Sequence, residues 1–298
     1  MVRATRMMTG ECTAVAASTS IAQSARTLGD LSGTIVLVGA GKMGGAMLEG
    51  WLALGLDGRT VVVIEPQPTR ELDALTGHGL RLNPALNTIG EAAAIVIAVK
   101  PQIAPEAVPA LAPCLGAATV VVSIMAGRTL GFLERALPQR AALVRAMPNT
   151  PAAIGRGITV AVPNAKVSAR QRELVHALLS ATGTVEWIAD EALMDAVTAV
   201  SGSGPAYVFL LAEFLAQAGT AAGLPADLAE KLARATVAGS GELLHRSPLE
   251  PATLRQNVTS PGGTTAAALD ILMAKDGLGV LMDKAVAAAT RRSRELAG

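Results

Sequence analysis

Thr34-Ile35-Val36-Leu37-Val38-Gly39-Ala40-Gly41-Lys42-Met43-Gly44 is the stretch whose reading decides the fold. Its first five residues form an apolar run of strand length that ends in glycines. The period then changes, with Met43, Met47, Leu48 and Trp51 recurring at helical spacing. A strand that enters a helix through Gly39-x-Gly41-x-x-Gly44 gives each glycine a task. The first permits a tight turn, the second lets backbone approach a pyrophosphate, and the third lets helix and strand pack closely. Free N–H groups and the dipole at the helix start then stabilise the pyrophosphate charge. The alternative is a tight strand-to-helix turn without a ligand.

Further apolar runs follow at Val61–Ile64, Ala94–Val99, Thr119–Ile124, Ala141–Ala146 and Ile158–Val162, with helical stretches such as Ala169–Ala181 between them. Near-continuous apolar strands alternating with helices predict a parallel sheet covered on both faces. The expected class is therefore α/β, an N-terminal Rossmann-type doubly wound parallel sheet. Strand signals stop after about Asp190. Pro205 is suited to open a helix on which Val208, Leu211, Ala212, Leu215 and Ala218 share a face, and Gly223-Leu224-Pro225 breaks it. Helices are expected on to about Leu244, from Glu250 to Asn257, from Thr264 to Lys275, and finally to about Leu296. The alanine-rich faces of this all-helical part are too apolar for water, so they are expected to be buried in a partner subunit, as a dimer or higher homo-oligomer. The expected divisions are an extension over residues 1–31, a dinucleotide-binding domain over 32–189, and a helical dimerisation and substrate domain over 190–298.

Composition excludes several functions. The 298 residues are 51% hydrophobic, enough for two cored domains. A net charge of +1 and 2% aromatics give no electrostatic or stacking case for nucleic acid, nor for an anionic membrane surface. Two cysteines, Cys12 and Cys114, and three scattered histidines make neither a disulfide framework nor a metal set. No membrane span is expected, because Ser201-Gly202-Ser203-Gly204-Pro205 interrupts the uncharged run Ala196–Ala212. The first thirty residues are rich in Ser, Thr and Ala and lack a continuous apolar signal core. Glu11 and Asp30 interrupt the basic pattern of Arg3, Arg6 and Arg26, so a frayed tail on a cytoplasmic protein is expected.

Around the cradle, Glu65 ends the second strand, twenty-one residues after Gly44. An acid there accepts hydrogen bonds from the adenosine ribose and repels a 2′-phosphate, which favours NADH. Arg70 either neutralises that phosphate, which favours NADPH, or is a solvated charge. Val99, Lys100 and Pro101 follow the third strand, where ligands of open α/β sheets bind. Lys100 either contacts the nicotinamide ribose, attracts an anionic substrate, or caps the strand end. Met125 and Ala126, in Ser123-Ile124-Met125-Ala126-Gly127, end the fourth strand in the same crevice. Far downstream, Val258-Thr259-Ser260-Pro261-Gly262-Gly263-Thr264-Thr265 is a glycine-rich turn running into a hydroxyl-led helix, able to hold a small anion beside a proton donor. Cradle and turn together suggest a reductase of a small carboxylated substrate.

These motifs, with Arg145-Ala146-Met147-Pro148-Asn149-Thr150-Pro151 and Ser201-Gly202-Ser203-Gly204-Pro205-Ala206-Tyr207-Val208-Phe209, resemble the pyrroline-5-carboxylate reductase family, in order and over roughly residues 34–297. The resemblance implies NAD(P)H-dependent reduction of 1-pyrroline-5-carboxylate to L-proline, the last step of proline biosynthesis. It also implies helices interlocked with a second subunit and a substrate pocket at that junction. The substrate carboxylate then falls to Ser260, Gly262, Gly263 and Thr264. By position in the family motif, the Thr265 hydroxyl stands next to the ring nitrogen, to orient it and relay a proton. The family mostly uses NADPH, often with Ser or Arg just after the second strand; here that place reads Glu65-Pro66-Gln67. Tyr207 either lines the pocket or packs in the interface, and Met147, Pro148 and Asn149 shape a turn near the nicotinamide.

Two rival functions have sequence-level discriminators. A β-hydroxyacid dehydrogenase shares the cradle but places a lysine on the helix after its second glycine-rich segment, and Ser201–Ala212 contains none. A non-catalytic NAD(P)-sensing protein leaves the intact Ser260–Thr265 motif unexplained.

Overall fold

The computed structural model describes residues 28–297; the expected N-terminal tail and Cys12 lie outside the described residues. The order of elements in the first part is β1 (Thr34–Val38), α1 (Lys42–Ala53), β2 (Val61–Ile64), α2 (Arg70–Leu75), β3 (Arg81–Leu82), β4 (Ala92–Ile97), α3 (Ala104–Ala110), β5 (Val120–Ser123), α4 (Leu130–Ala136), β6 (Ala142–Met147), β7 (Gly157–Pro163), α5 (Ala169–Ser180) and β8 (Gly183–Trp187). They form one eight-stranded sheet in the order β3-β2-β1-β4-β5-β6-β7-β8.

The strands are apolar throughout because both faces are covered. Ile35, Leu37, Val61, Val63, Val120 and Val122 enter one core with Trp51 of α1 and Leu178 of α5. Their neighbours Val36, Val38, Val62 and Val121 enter the other, with Val108 of α3 and Leu133 of α4. Period-two alternation thus sorts each run between two cores. Trp51 is fully buried, and its indole N–H donates to the Leu178 carbonyl at 2.8 Å, so its polar edge is satisfied where α1 meets α5.

The sheet departs from the expected all-parallel pairing at one place: β7 runs antiparallel to β6. The connection has a short 3-10 segment at Thr150–Ile154 and a left-handed Gly155, but no crossover helix, and a parallel return needs one. Asn164 secures the reversed pair, its Oδ1 accepting from Leu143 N at 3.1 Å and its backbone N–H donating to Leu143 O at 2.8 Å. The strands β3 and β8 are additional to those read from the sequence.

Helices follow: α6 (Met194–Val197), a π-turn over Thr198–Gly202, α7 (Gly204–Ala221), α8 (Ala226–Arg246), α9 (Pro251–Asn257), α10 (Thr264–Leu272) and α11 (Leu278–Ala297). The Ser201–Pro205 cluster does not interrupt the chain's helical path. Pro205 lacks the N–H that a regular turn needs, and the π-turn absorbs the defect. Ser203 N reaches back to Thr198 O at 2.9 Å, and the Tyr207 hydroxyl donates to the Ala199 carbonyl at 3.0 Å. The run Glu191–Ala221 is consequently long and apolar enough to cross a membrane by length and composition, contrary to the sequence reading. A further correction is that α10 ends at Leu272, short of Lys275.

No residue of α7 is buried. Phe209 is 66% exposed and Phe214 55%, with Leu211 and Leu215 close behind, so the helix is apolar and uncovered beyond the one face expected. Packing α7 against α8 leaves this surface open, and a chain of this composition hides such a patch in a copy of itself. In light scattering the protein is expected to have at least twice the 30.2 kDa chain mass. Phe209→Glu should give smaller species and lower activity; full activity at monomer mass would refute this.

Candidate active site

The strand order turns about β1. Strands β2 and β3 lie to one side and β4 to β8 to the other, so the connections diverge above the carboxyl ends of β1 and β4, where a crevice is expected. Ala98 N donates to Val38 O at 2.7 Å and Gly39 N to Ile64 O at 2.8 Å, drawing the three strand ends together. Gly39 is left-handed, with φ of 90°, and a Cβ there would stand 2.8 Å from the Ala98 carbonyl oxygen. A Cβ at Gly44 would lie 2.1 Å from the Gly39 carbonyl oxygen. Those two glycines are demanded by packing. Gly41 differs: it has ordinary φ, and a Cβ on it would meet nothing within 4 Å. Chain packing does not demand this glycine, and the space over it is open.

Gly41 is also the N-cap of α1 and brings no side-chain cap. Among the described residues, the N–H groups of Lys42, Met43 and Gly44 have no acceptor, so the helix start is free to bind a pyrophosphate. The residues present therefore fit a dinucleotide. Glu65 stands beside the loop, its Oε2 accepting from Ala40 N at 2.9 Å and its Oε1 from Gln67 N at 3.0 Å. Val99 and Pro101 are half-buried past β4, and Lys100 is exposed there. The Arg128 guanidinium holds the Pro101 carbonyl by two hydrogen bonds, of 3.1 and 2.7 Å, and lies 4.8 Å from the Phe132 ring centroid. Past β5, Ala126 is exposed, whereas the Met125 side chain is buried in the core.

The downstream turn is built as the sequence suggests. Gly262 is left-handed, with φ of 69°, and Gly263 N donates to Ser260 O at 3.0 Å. The N–H groups of Thr264, Thr265 and Ala266 have no acceptor among the described residues, and Gly263 offers no side-chain cap. Ser260 and Thr264 are exposed and Thr265 is half-buried. No hydrogen bond or ion pair among the described residues joins this turn to the cradle. One chain thus gathers Gly39 to Gly44, Glu65, Val99 to Pro101 and Met125 to Ala126 at one end of the sheet, with no bond among the described residues to Ser260 to Thr265.

Sequence reasoning gave no role to the pairs that tie the two parts together, Arg145–Glu191 and Arg156–Glu242. Arg145 of β6 is almost wholly buried and meets Glu191 at 2.8 Å. The same Glu191 oxygen accepts from Leu130 N, at the start of α4, at 2.8 Å. A lone charge in an apolar strand was the available signal. Asp195 of α6 accepts from Ser293 Oγ of α11 at 2.7 Å. Ser201 Oγ, in the π-turn, is buried without a partner among the described residues, and the adjacent Gly202 packs on Met147 at the end of β6. Tyr207, left open between two roles, spends its hydroxyl on the π-turn. Asn149 shapes its turn by accepting from Ile158 N at 3.0 Å. Burial raises the Cys114 thiol pKa, which favours the less nucleophilic protonated thiol. A cavity of about 960 Å³ opens at the opposite end of the sheet, between Ala93, Ala142 and Gln171, and no expected site residue lines it.

Comparison with known proteins gives matches over both parts. The family model described as pyrroline-5-carboxylate reductase dimerisation matches residues 191–296, and one described as NADP oxidoreductase, coenzyme F420-dependent, matches residues 34–127. A pyrroline-5-carboxylate reductase of Pseudomonas aeruginosa is 39% identical over 264 residues, 88% of this chain and 96% of that relative. One from Synechocystis is 41% identical over 261 residues, 85% of this chain and 96% of the relative. The solved pyrroline-5-carboxylate reductase of Coxiella burnetii superposes with a TM-score of 0.84 at 32% identity, covering 90% of this chain and all of that one. The Plasmodium falciparum pyrroline carboxylate reductase, solved with NADP bound, gives 0.75 at 29% identity, covering 90% and 99%.

Gly41 and Gly44 make separable predictions. Gly41→Ala should melt within about 2 °C of the parent, since nothing in the chain obstructs it. Its dinucleotide Kd should rise by about tenfold or more. Gly44→Ala should lower the melting temperature markedly. Unimpaired binding in a folded Gly41→Ala protein would remove the ligand role from the cradle.

Proposed function

The chain belongs to the pyrroline-5-carboxylate reductase family, and from that premise we propose how its own residues perform the NAD(P)H-dependent reduction of 1-pyrroline-5-carboxylate to L-proline, the last step of proline biosynthesis. The single observation that carries the account is a pair of unpartnered helix starts, one behind Gly41 and one behind Gly263. Each suits an anion: the first a pyrophosphate, the second a carboxylate.

In this reading residues 32–189 hold the dinucleotide and residues 190–298 supply the substrate site and the dimer contact. The bound reduced nicotinamide supplies the hydride. Lys42, Met43 and Gly44 offer backbone N–H groups to the phosphates. Val99, Lys100, Pro101, Met125 and Ala126 border the nicotinamide half, and the exposed Lys100 adds positive charge for an anionic substrate. Ser260, Gly262, Gly263 and Thr264 bind the carboxylate. The Thr265 hydroxyl orients the ring nitrogen and relays to it a proton from water, while the hydride goes to the imine carbon, as the imine becomes an amine. No nucleophile is required, because placement of two bound reactants carries the catalysis.

The Ser260–Thr265 turn completes its pocket with a second copy of the chain. What supports this is the exposed apolar surface of α7 and the absence, among the described residues, of any bond between the turn and its own cradle. That surface fits a protein partner better than lipid, since Glu191 and Asp195 at the head of the same helical run are bonded to Arg145 and Ser293. The cofactor is NADP as in the family, and Glu65 brings NADH into use beside it. The cytoplasm is the proposed compartment, in keeping with the free thiol of Cys114.

Thr265→Ala should lower kcat by about ten- to a hundredfold with little change in cofactor affinity, and Thr265→Ser should retain much more activity. Single-turnover rate and melting temperature, measured together, separate this from helix capping. Near-normal hydride transfer in Thr265→Ala would leave the N–H cradle as the motif's only role.

The second expectation concerns Glu65. Removing one unfavourable charge contact by Glu65→Ser should shift the NADPH to NADH ratio of kcat/KM by about tenfold towards NADPH. An unchanged ratio would mean that this carboxylate does not meet the ribose.

A further inference from the structure

Asn83 follows directly on β3 and is the one non-glycine with positive φ, 50°, among the described residues. Asparagine tolerates that region better than other side chains do. Its backbone N–H donates to Val63 O at 2.8 Å, which carries the β2–β3 pairing one residue further. Its side chain then takes both backbone groups of Glu65: Oδ1 accepts from Glu65 N at 2.8 Å, and Nδ2 donates to Glu65 O at 2.8 Å. One amide therefore acts as a strand partner for a residue that lies just beyond the end of β2. These two bonds also define which way the amide points, since the reverse orientation would set donor against donor.

Glu65 is held at its other end as well, by Ala40 N and Gln67 N on its carboxylate. A carboxylate has about four acceptor sites, so two remain for ligand donors. Ala40 lies inside the glycine-rich loop, between Gly39 and Gly41. Arg70, the nearest cation in sequence, is exposed and makes no ion pair among the described residues, so it does not neutralise Glu65.

We propose that Asn83 is a positioning residue for cofactor choice: by clamping the backbone of Glu65 it fixes the carboxylate against the glycine-rich loop, where that charge accepts from a ribose 2′-hydroxyl and repels a 2′-phosphate. The proposal rests on the role of Glu65 given above. Freed from the clamp, Glu65 can turn its side chain to solvent, and the negative charge no longer discriminates. The selectivity then belongs to a pair, one residue carrying the charge and one holding it in place.

The test uses the full-length protein and equilibrium titrations of NADH and NADPH, read by nicotinamide fluorescence, so that no turnover is needed. Asn83→Gly tolerates the positive φ while removing the side chain. It should lower the ratio of Kd for NADPH to Kd for NADH by about three- to fivefold. In a Glu65→Ser background the same substitution should leave the ratio within about twofold of its value there, because the charge it positions is gone. Asn83→Ala serves if the glycine variant does not fold, with the same shift expected, and melting temperatures accompany both. Equal weakening of both cofactors in both backgrounds would make Asn83 merely structural and overturn the proposal. A ratio moved by Glu65→Ser but not by Asn83→Gly would overturn it while leaving the reading of Glu65 intact. A ratio moved by neither would overturn both.

Discussion

The contact between the backbone of Gly39 and the strand end at Ala98 is the constraint on which the site depends. A left-handed glycine lets the chain leave β1 and turn into α1 while staying within van der Waals distance of β4. The close approach leaves no room for a side chain on Gly39 or on Gly44, which rides against it. What remains above is open space at Gly41 and a set of unmatched N–H groups. The anion site is therefore a by-product of tight packing: backbone crowds on one side of the turn and is absent on the other.

A second set of bonds sits where sheet and helices meet. Arg145 is buried at the edge of the α4 core, and Glu191, at the entry to the helical run, answers both its charge and the Leu130 N–H at the start of α4. Removing either partner would strand the other in a poorly solvated place, which is costly, although the intact pair is not itself a strong stabiliser. Its effect is geometric. The first turn of the helical part is fixed in position relative to β6, and α11 is tied in through Ser293 and Asp195.

Much of this was legible in the sequence, for identifiable reasons. Strands buried on two faces write continuous apolar runs, so β1, β2, β4, β5, β6 and β7 were evident. Edge strand β8 is half-exposed at alternate positions and contains Gly183, Thr184 and Glu186, so it left no such run; β3 has two residues and could not. The direction of β7 was written in the missing helix before it, a signal that the regular alternation elsewhere masked. The cradle was legible residue by residue because strand, turn and helix are contiguous. Asn83 and the Arg145–Glu191 pair were not, since each acts on a partner eighteen or more residues away. Among the described residues no bond joins Ser260 to Thr265 with the cradle, so no pattern within one chain brings the two motifs together.

The π-turn at Thr198–Gly202 carries one consequence for how this family can vary in length. Such a turn holds a residue more than the α-turn it replaces, and each residue of an α-helix advances it by about 100° and about 1.5 Å. Deleting any one of these five residues would return the helix to regular phase while leaving the missing Pro205 N–H unabsorbed. Everything beyond it, α7 and the α8 packed upon it, would then be swung by more than a quarter-turn about the helix axis relative to the sheet. The extra residue acts as a phase setting. It determines which side of a long apolar helix faces outward, so the length of this turn is constrained for angular reasons, independent of which side chains occupy it.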